Sequence, residues 1–172
     1  MRVRALDFQL GALYAALDEK RGARGLTWAG VMREINVVFE HNSSRPISQS
    51  TVTSLRHKAV AEGDGVLQML RWLDRTPESF VPGLDEDAGA PLPRAAADRV
   101  IRFDTRKLHS ALDAARLARG MTWRDVAAQI PGFTAGSLAY LAKGGRTGFP
   151  HVVRLTRWLG RPVAEFTRIT TR

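Results

Sequence analysis

Cysteine is absent from the 172-residue chain, which excludes disulfides, thiolate metal sites and a cysteine nucleophile. No apolar run approaches the roughly 18 residues that a membrane span requires. Met1-Arg2-Val3-Arg4 leads into no apolar stretch of the signal-peptide kind. The four histidines, His41, His57, His109 and His151, have no metal-ligand spacing and no carboxylate pair beside them. Lys143-Gly144-Gly145-Arg146-Thr147-Gly148 lacks the G-x-x-x-x-G-K-S/T order of a phosphate loop and reads as a helix stop. No serine sits in a G-x-S-x-G elbow. These absences predict a soluble cytoplasmic protein that is not an enzyme, has no cofactor and has no membrane partner.

The composition is that of a folding chain, with 44% hydrophobic and 25% charged residues. The net charge is +9, and its distribution is uneven. Residues 1–80 carry +2, residues 81–98 carry −3 and residues 99–172 carry +10. The positive field belongs to the C-terminal part, and a basic face predicts a polyanionic partner.

An internal repeat organises the rest. Residues 13–35 match residues 108–130 at 12 of 23 positions when slid by 95, including Arg24-Gly25 with Arg119-Gly120 and Thr27-Trp28 with Thr122-Trp123. Slid by 86, Arg71-Trp72-Leu73 matches Arg157-Trp158-Leu159, and Phe80 matches Phe166. The change of offset places nine extra residues in copy one, in or near positions 36–47. Between the copies stand Pro82, Pro91 and Pro93, Gly83 and Gly89, with Asp85, Glu86, Asp87 and Asp98. Proline and glycine break both periodicities and like charges stay solvated, so residues 82–98 read as a linker. A flexible chain of these 17 residues has an r.m.s. span of roughly 23 Å, and each copy, at about 70–80 residues, is small but able to fold alone.

Each copy reads as five helices. In copy two, Leu108 and Leu112 begin a one-faced stripe, Thr122 with Asp125 makes a cap, Pro131-Gly132 forces a turn and Thr134 caps a third helix. Copy one repeats this over residues 8–21, 27–39, 48–61, 66–73 and 77–80. No stretch shows strand alternation. The expected fold is therefore all-α, two tandem five-helix domains at 1–81 and 99–172 joined by the Pro/Gly/acidic linker 82–98.

The pattern R-x-x-R-G-L/M-T-W, then V-x-x-x-I, a turn, S/T-x-x-x-V/L-x-x-L and a later helix ending W-L resembles the lambda-repressor-like (Xre/Cro type) helix-turn-helix family, twice over. The resemblance implies sequence-specific binding of double-stranded DNA, with the third helix in the major groove, and a role as a transcriptional regulator. In copy one that helix begins with Ser48, Gln49, Ser50 and Thr51, with Ser54 one turn on. Glutamine can pair bidentately with adenine, and hydroxyls adapt to base or phosphate. In copy two the same places hold Thr134, Ala135, Gly136 and Ser137, then Tyr140, with Lys143 and Arg146 beyond as phosphate contacts. The family often has glutamine at the start of helix two, where Trp28 and Trp123 stand here. The competing expectation is a protein-interaction adaptor, an antitoxin-like or regulator-binding module, favoured by the short side chains Ala135 and Gly136. A homodimer and a regulatory protein partner are further expectations, and localisation would be cytoplasmic, nucleoid-associated when DNA-bound.

Overall fold

Apolar residues three or four apart build the first helix of each copy. Leu10, Leu13 and Leu17 form the buried side of α1 (Leu10–Ala23), and Leu108 and Leu112 that of α5 (Thr105–Ala118). The structure, a computed structural model, describes residues 7–84, 89–96 and 98–170. Thr27 caps α2 (Trp28–Asn36) by accepting from the Gly30 amide, and Thr122 caps α6 (Trp123–Gln129) in a reciprocal box with Asp125. The third helices are short: α3 (Gln49–Thr53) and α7 (Ala135–Tyr140), each extended by a 3₁₀ turn, Ser54–Arg56 and Leu141–Lys143. Then come α4 (Gly63–Leu73) and α8 (His151–Leu159), and 3₁₀ turns at Pro77–Phe80 and Val163–Phe166 close the copies.

The expectation of an all-α pair of separate five-helix domains is overturned. Four strands, β1 (Ala61–Glu62), β2 (Val100–Phe103), β3 (Gly148–Phe149) and β4 (Thr167–Thr170), make two small antiparallel sheets. One sheet joins the copies. β1 pairs with β3, with Ala61 opposite Phe149 and Glu62 opposite Gly148. At the repeat spacing of 86, Glu62 and Gly148 are equivalent residues. Each strand thus pairs with its own repeat image, the isologous arrangement of a twofold dimer, here inside one chain. This pairing ends the third helix of copy one early, because Ala61, expected in that helix, is drawn into the ribbon. Gly63 permits the close approach: a Cβ there would lie 2.5 Å from the Thr147 carbonyl oxygen and 2.7 Å from the Phe103 ring.

The second sheet welds copy two onto copy one. β2 pairs with β4 along one edge, Val100 with Thr170 through Phe103 with Thr167. Two of its backbone groups are met by α4 of copy one. The Phe103 amide donates to Asp64 Oδ1 at 2.9 Å, and Gln68 Nε2 donates to the Ile101 carbonyl at 2.6 Å. Arg102 also pairs with Asp64 at 3.1 Å. Two-residue strands leave no period to detect, and in β2 the apolar Val100, Ile101 and Phe103 are all buried, so alternation is masked.

One apolar core runs through both copies. It includes Leu13, Val31, Leu67 and Leu70 from the first and Leu112, Val126, Leu138 and Leu155 from the second. Phe149 sits at the junction, 4.6 Å from Phe8 and 5.5 Å from Phe103, ring centre to ring centre. Asp7 grips Arg154 across the copies at 2.7 Å. Glu78, buried between the closing turns, accepts from the Val163 amide at 2.6 Å, and burial pushes its carboxyl above the usual range.

The segment read as a free linker is partly docked. Arg71 donates to the carbonyls of Ala95, Ala96 and Arg99 at 2.7–2.9 Å, and Leu92 packs on the core. Asp85, Glu86 and Asp87 lie outside the described residues. The nine-residue excess of copy one also bridges. Asn36 brackets it with two 2.8 Å bonds to the Ile47 backbone, Ser44 bonds Arg102, and Val38 and Phe39 pack against Val100.

A shared core predicts shared unfolding. Gln68→Leu keeps the volume but leaves the Ile101 carbonyl unmet, an expected loss of about 1–3 kcal/mol. Urea denaturation followed by tryptophan fluorescence and by circular dichroism should give one coincident transition in both wild type and variant. Separate transitions for the two copies would contradict the common core.

Candidate nucleic-acid interface

The two copies are held by the same side-chain framework. Arg21 donates to Asp18 at 2.8 Å and to the Leu26 carbonyl at 2.9 Å, and its guanidinium lies 5.2 Å from the centre of Trp28. Trp28 in turn stacks on Tyr14 at 5.5 Å. In copy two Arg116 bonds Asp113 and the Met121 carbonyl, covers Trp123 at 5.0 Å, and Trp123 stacks on His109 at 5.0 Å. The tryptophans that open the second helices therefore pack between α1 and α2 and between α5 and α6, and hold the first turn of each second helix in place.

A second pair fixes the fourth helices. Trp72 Nε1 donates to Glu34, and Trp158 Nε1 donates to Gln129, each at 2.8 Å. Here the copies differ. Glu34 also takes Arg24 at 2.5 Å, so one cation of copy one is neutralised. The equivalent Arg119 of copy two lies over the Trp158 ring at 4.3 Å, with glutamine in place of the carboxylate.

On α3, Ser48 is the N-cap. Its Oγ accepts from the Thr51 amide at 3.2 Å and lies 2.9 Å from the hydroxyls of both Ser50 and Thr51. Ser54 donates to the Thr51 carbonyl at 3.0 Å. These hydroxyls hold the helix start, while the exposed Gln49 makes no side-chain bond among the described residues. On α7, Thr134 and Ser137 cap each other reciprocally. Tyr140 is 56% exposed, and Lys143 Nζ stands 5.4 Å from its ring centre. Arg146 is exposed two residues before β3.

The turn between second and third helices differs between the copies. In copy two it is short, residues 130–134. In copy one a 3₁₀ turn, Val37–Phe39, and residues 40–48 separate α2 from α3. The fold also brings two further cations to this surface. Arg106 on α5 lies against Gly144, and Arg168 on β4 lines the same cleft. The signal lay in the repeat: the equivalent positions in copy one are Gly11 and Pro82. Among the described residues no group of three or more histidine, cysteine, aspartate or glutamate side chains is placed to hold a metal ion. No helix among them is long and apolar enough to cross a membrane. Compared with protein-family models, curated proteins and solved structures, the chain matches none.

The Glu34 cluster makes a pH prediction. Its hydrogen bonds from Arg24, then from Trp72, hold the Glu34 carboxyl below the ordinary value of 4.5. A depressed carboxyl contributes stability that is present above that ordinary value and is lost as pH falls through the lowered one. Glu34→Gln reproduces the copy-two arrangement and removes this term. Thermal melts taken from neutral pH into the acid range should show the variant losing less than wild type in that window; equal losses would refute the assignment.

Proposed function

We propose that the chain binds double-stranded DNA sequence-specifically and acts as a transcriptional regulator, cytoplasmic and nucleoid-associated when bound. The observation that carries this reading is the arrangement of the third helices. Each stands capped and exposed on a helix-turn-helix frame, and the two frames are related by the self-paired β1–β3 ribbon. Helix-turn-helix dimers meet duplex DNA in that manner, one recognition helix per half-site, with half-sites about 34–36 Å apart. One chain then does the work of two, on a spacing set by the shared core and not by a flexible tether.

The halves contribute differently. Copy one supplies base readout through Gln49, with Ser50 and Thr51 beside it. Copy two supplies charge, +10 over residues 99–172 against +2 over residues 1–80. A second reading, docking of a regulatory protein, draws support from α7, where Ala135 and Gly136 offer no readout and Tyr140 is exposed. We assign the chain no catalytic step.

Two measurements test the DNA reading. Gln49→Ala, scored on a base-by-base substitution series, should lose about 1–3 kcal/mol of discrimination at one position. A mutant that keeps every wild-type preference removes Gln49 as the reader. Lys143→Ala with Arg146→Ala should weaken binding to all sequences and flatten the salt slope by up to about 2. A wild-type chain that shifts no duplex at low salt would instead support the protein-docking reading.

A further inference from the structure

We infer that the cleft between the start of α5 and the loop after α7 seats a DNA backbone phosphate between Arg106 and Arg168, an inference that rests on the DNA-binding reading. The cleft is lined by Phe103, Asp104, Thr105, Arg106, Gly144 and Arg168. Its frame is fixed. Phe103 and Thr105 are buried, and Thr105 Oγ1 donates to the Gly145 carbonyl at 3.0 Å, tying the loop to the helix. Gly144 has φ +74°, and a Cβ there would lie 2.8 Å from Arg106 Nε, so the glycine lets the Arg106 side chain rest against the backbone. The lone acid of the lining, Asp104, caps α5 by accepting from the Lys107 amide at 3.0 Å. Neither Arg106 nor Arg168 forms an ion pair among the described residues, whereas six other arginines do. Lys143 and Arg146 flank the same loop.

Copy one provides an internal comparison. It has the equivalent cleft, lined by Asp7, Gln9, Gly11, Lys58 and Arg154 among others. Gly11 stands where copy two has Arg106. Arg154 is already held by both Asp7 oxygens, at 2.8 and 2.7 Å. The cations left to that cleft come from the loop side, and Arg56 among them lies over the Tyr14 ring at 4.9 Å. Copy two instead presents guanidinium groups from two different elements. Two forks on a fixed frame suit the several oxygens of a phosphodiester, which accepts charge-assisted bonds from both.

The test uses the full chain carrying Arg106→Gln and Arg168→Gln, with circular dichroism and the melting temperature as checks of folding. Fluorescence anisotropy on random-sequence and selected duplexes is read across a salt series. The variant should lose affinity equally on every duplex and show a salt slope shallower by about 0.9, the step expected for one phosphate contact. Arg106→Lys should restore part of the slope, because it keeps the charge. Ethylation interference should lose one cluster of phosphates on the copy-two side only. An unchanged slope with normal wild-type binding would overturn this inference and leave the DNA reading standing. A wild type that binds no duplex overturns both. Inorganic phosphate that raises the wild-type melting temperature but not the variant's, with duplex binding equal in the two, would make the cleft a free-anion site and overturn the assignment. So would an acidic peptide that binds wild type and not the variant under the same conditions.

Discussion

The polar backbone of β2 is the constraint on which the architecture turns. A strand placed against an apolar core must have its amide and carbonyl groups met, because water is excluded there. β4 meets one edge, and among the described residues no further strand stands at the other. Asp64 and Gln68 of α4 take that place, accepting from Phe103 and donating to Ile101. Both side chains come from copy one and both partners from copy two. Neither copy can therefore complete its hydrogen bonding alone, and what duplicated as a module has become part of one folding unit. The bracketed insertion reinforces this, since Val38 and Phe39 cover Val100 on the same strand.

Duplication also shows which interactions are structural frame and which have diverged. The Asp-Arg-Trp-aromatic stack occurs twice with near-identical distances, and so does the tryptophan bond to the second helix. The differences lie at the surface. Glutamate becomes glutamine beneath Trp158, glycine becomes arginine at position 106, and Gln49 and Ser50 of α3 become Ala135 and Gly136 on α7. The frame is kept in duplicate while its exposed groups change.

Much of the helical plan was legible in the residues. Thr122 with Asp125 signalled its cap, and so did Thr134, Ser48 and Thr27. The stripe of Leu108 and Leu112 was also plain. Gly144, at positive φ, marked a helix end where expected. The strands were not legible, for two physical reasons. A two-residue strand such as β1 has no alternation, and its existence depends on a partner 86 residues away. β2 is buried on both sides, so its run of apolar residues looks like part of a helix stripe. The docking of part of the linker was not legible, because proline and glycine say nothing of docking, which Arg71 brings about through three carbonyls. In the candidate interface, the helix starts were visible in the sequence. The convergence of Arg106 and Arg168 was not, because they lie 62 positions apart and meet only through the sheet.

The self-paired ribbon of Glu62 and Gly148 has a thermodynamic consequence. In an association of separate chains, the paired state is populated according to concentration and empties on dilution. Here both strands belong to one polymer, so closing the ribbon is a first-order event whose entropic cost grows only slowly with the length of intervening chain. The twofold unit therefore persists at a few copies per cell as well as at many. Its two halves, being separately encoded, are free to carry different side chains at every equivalent position.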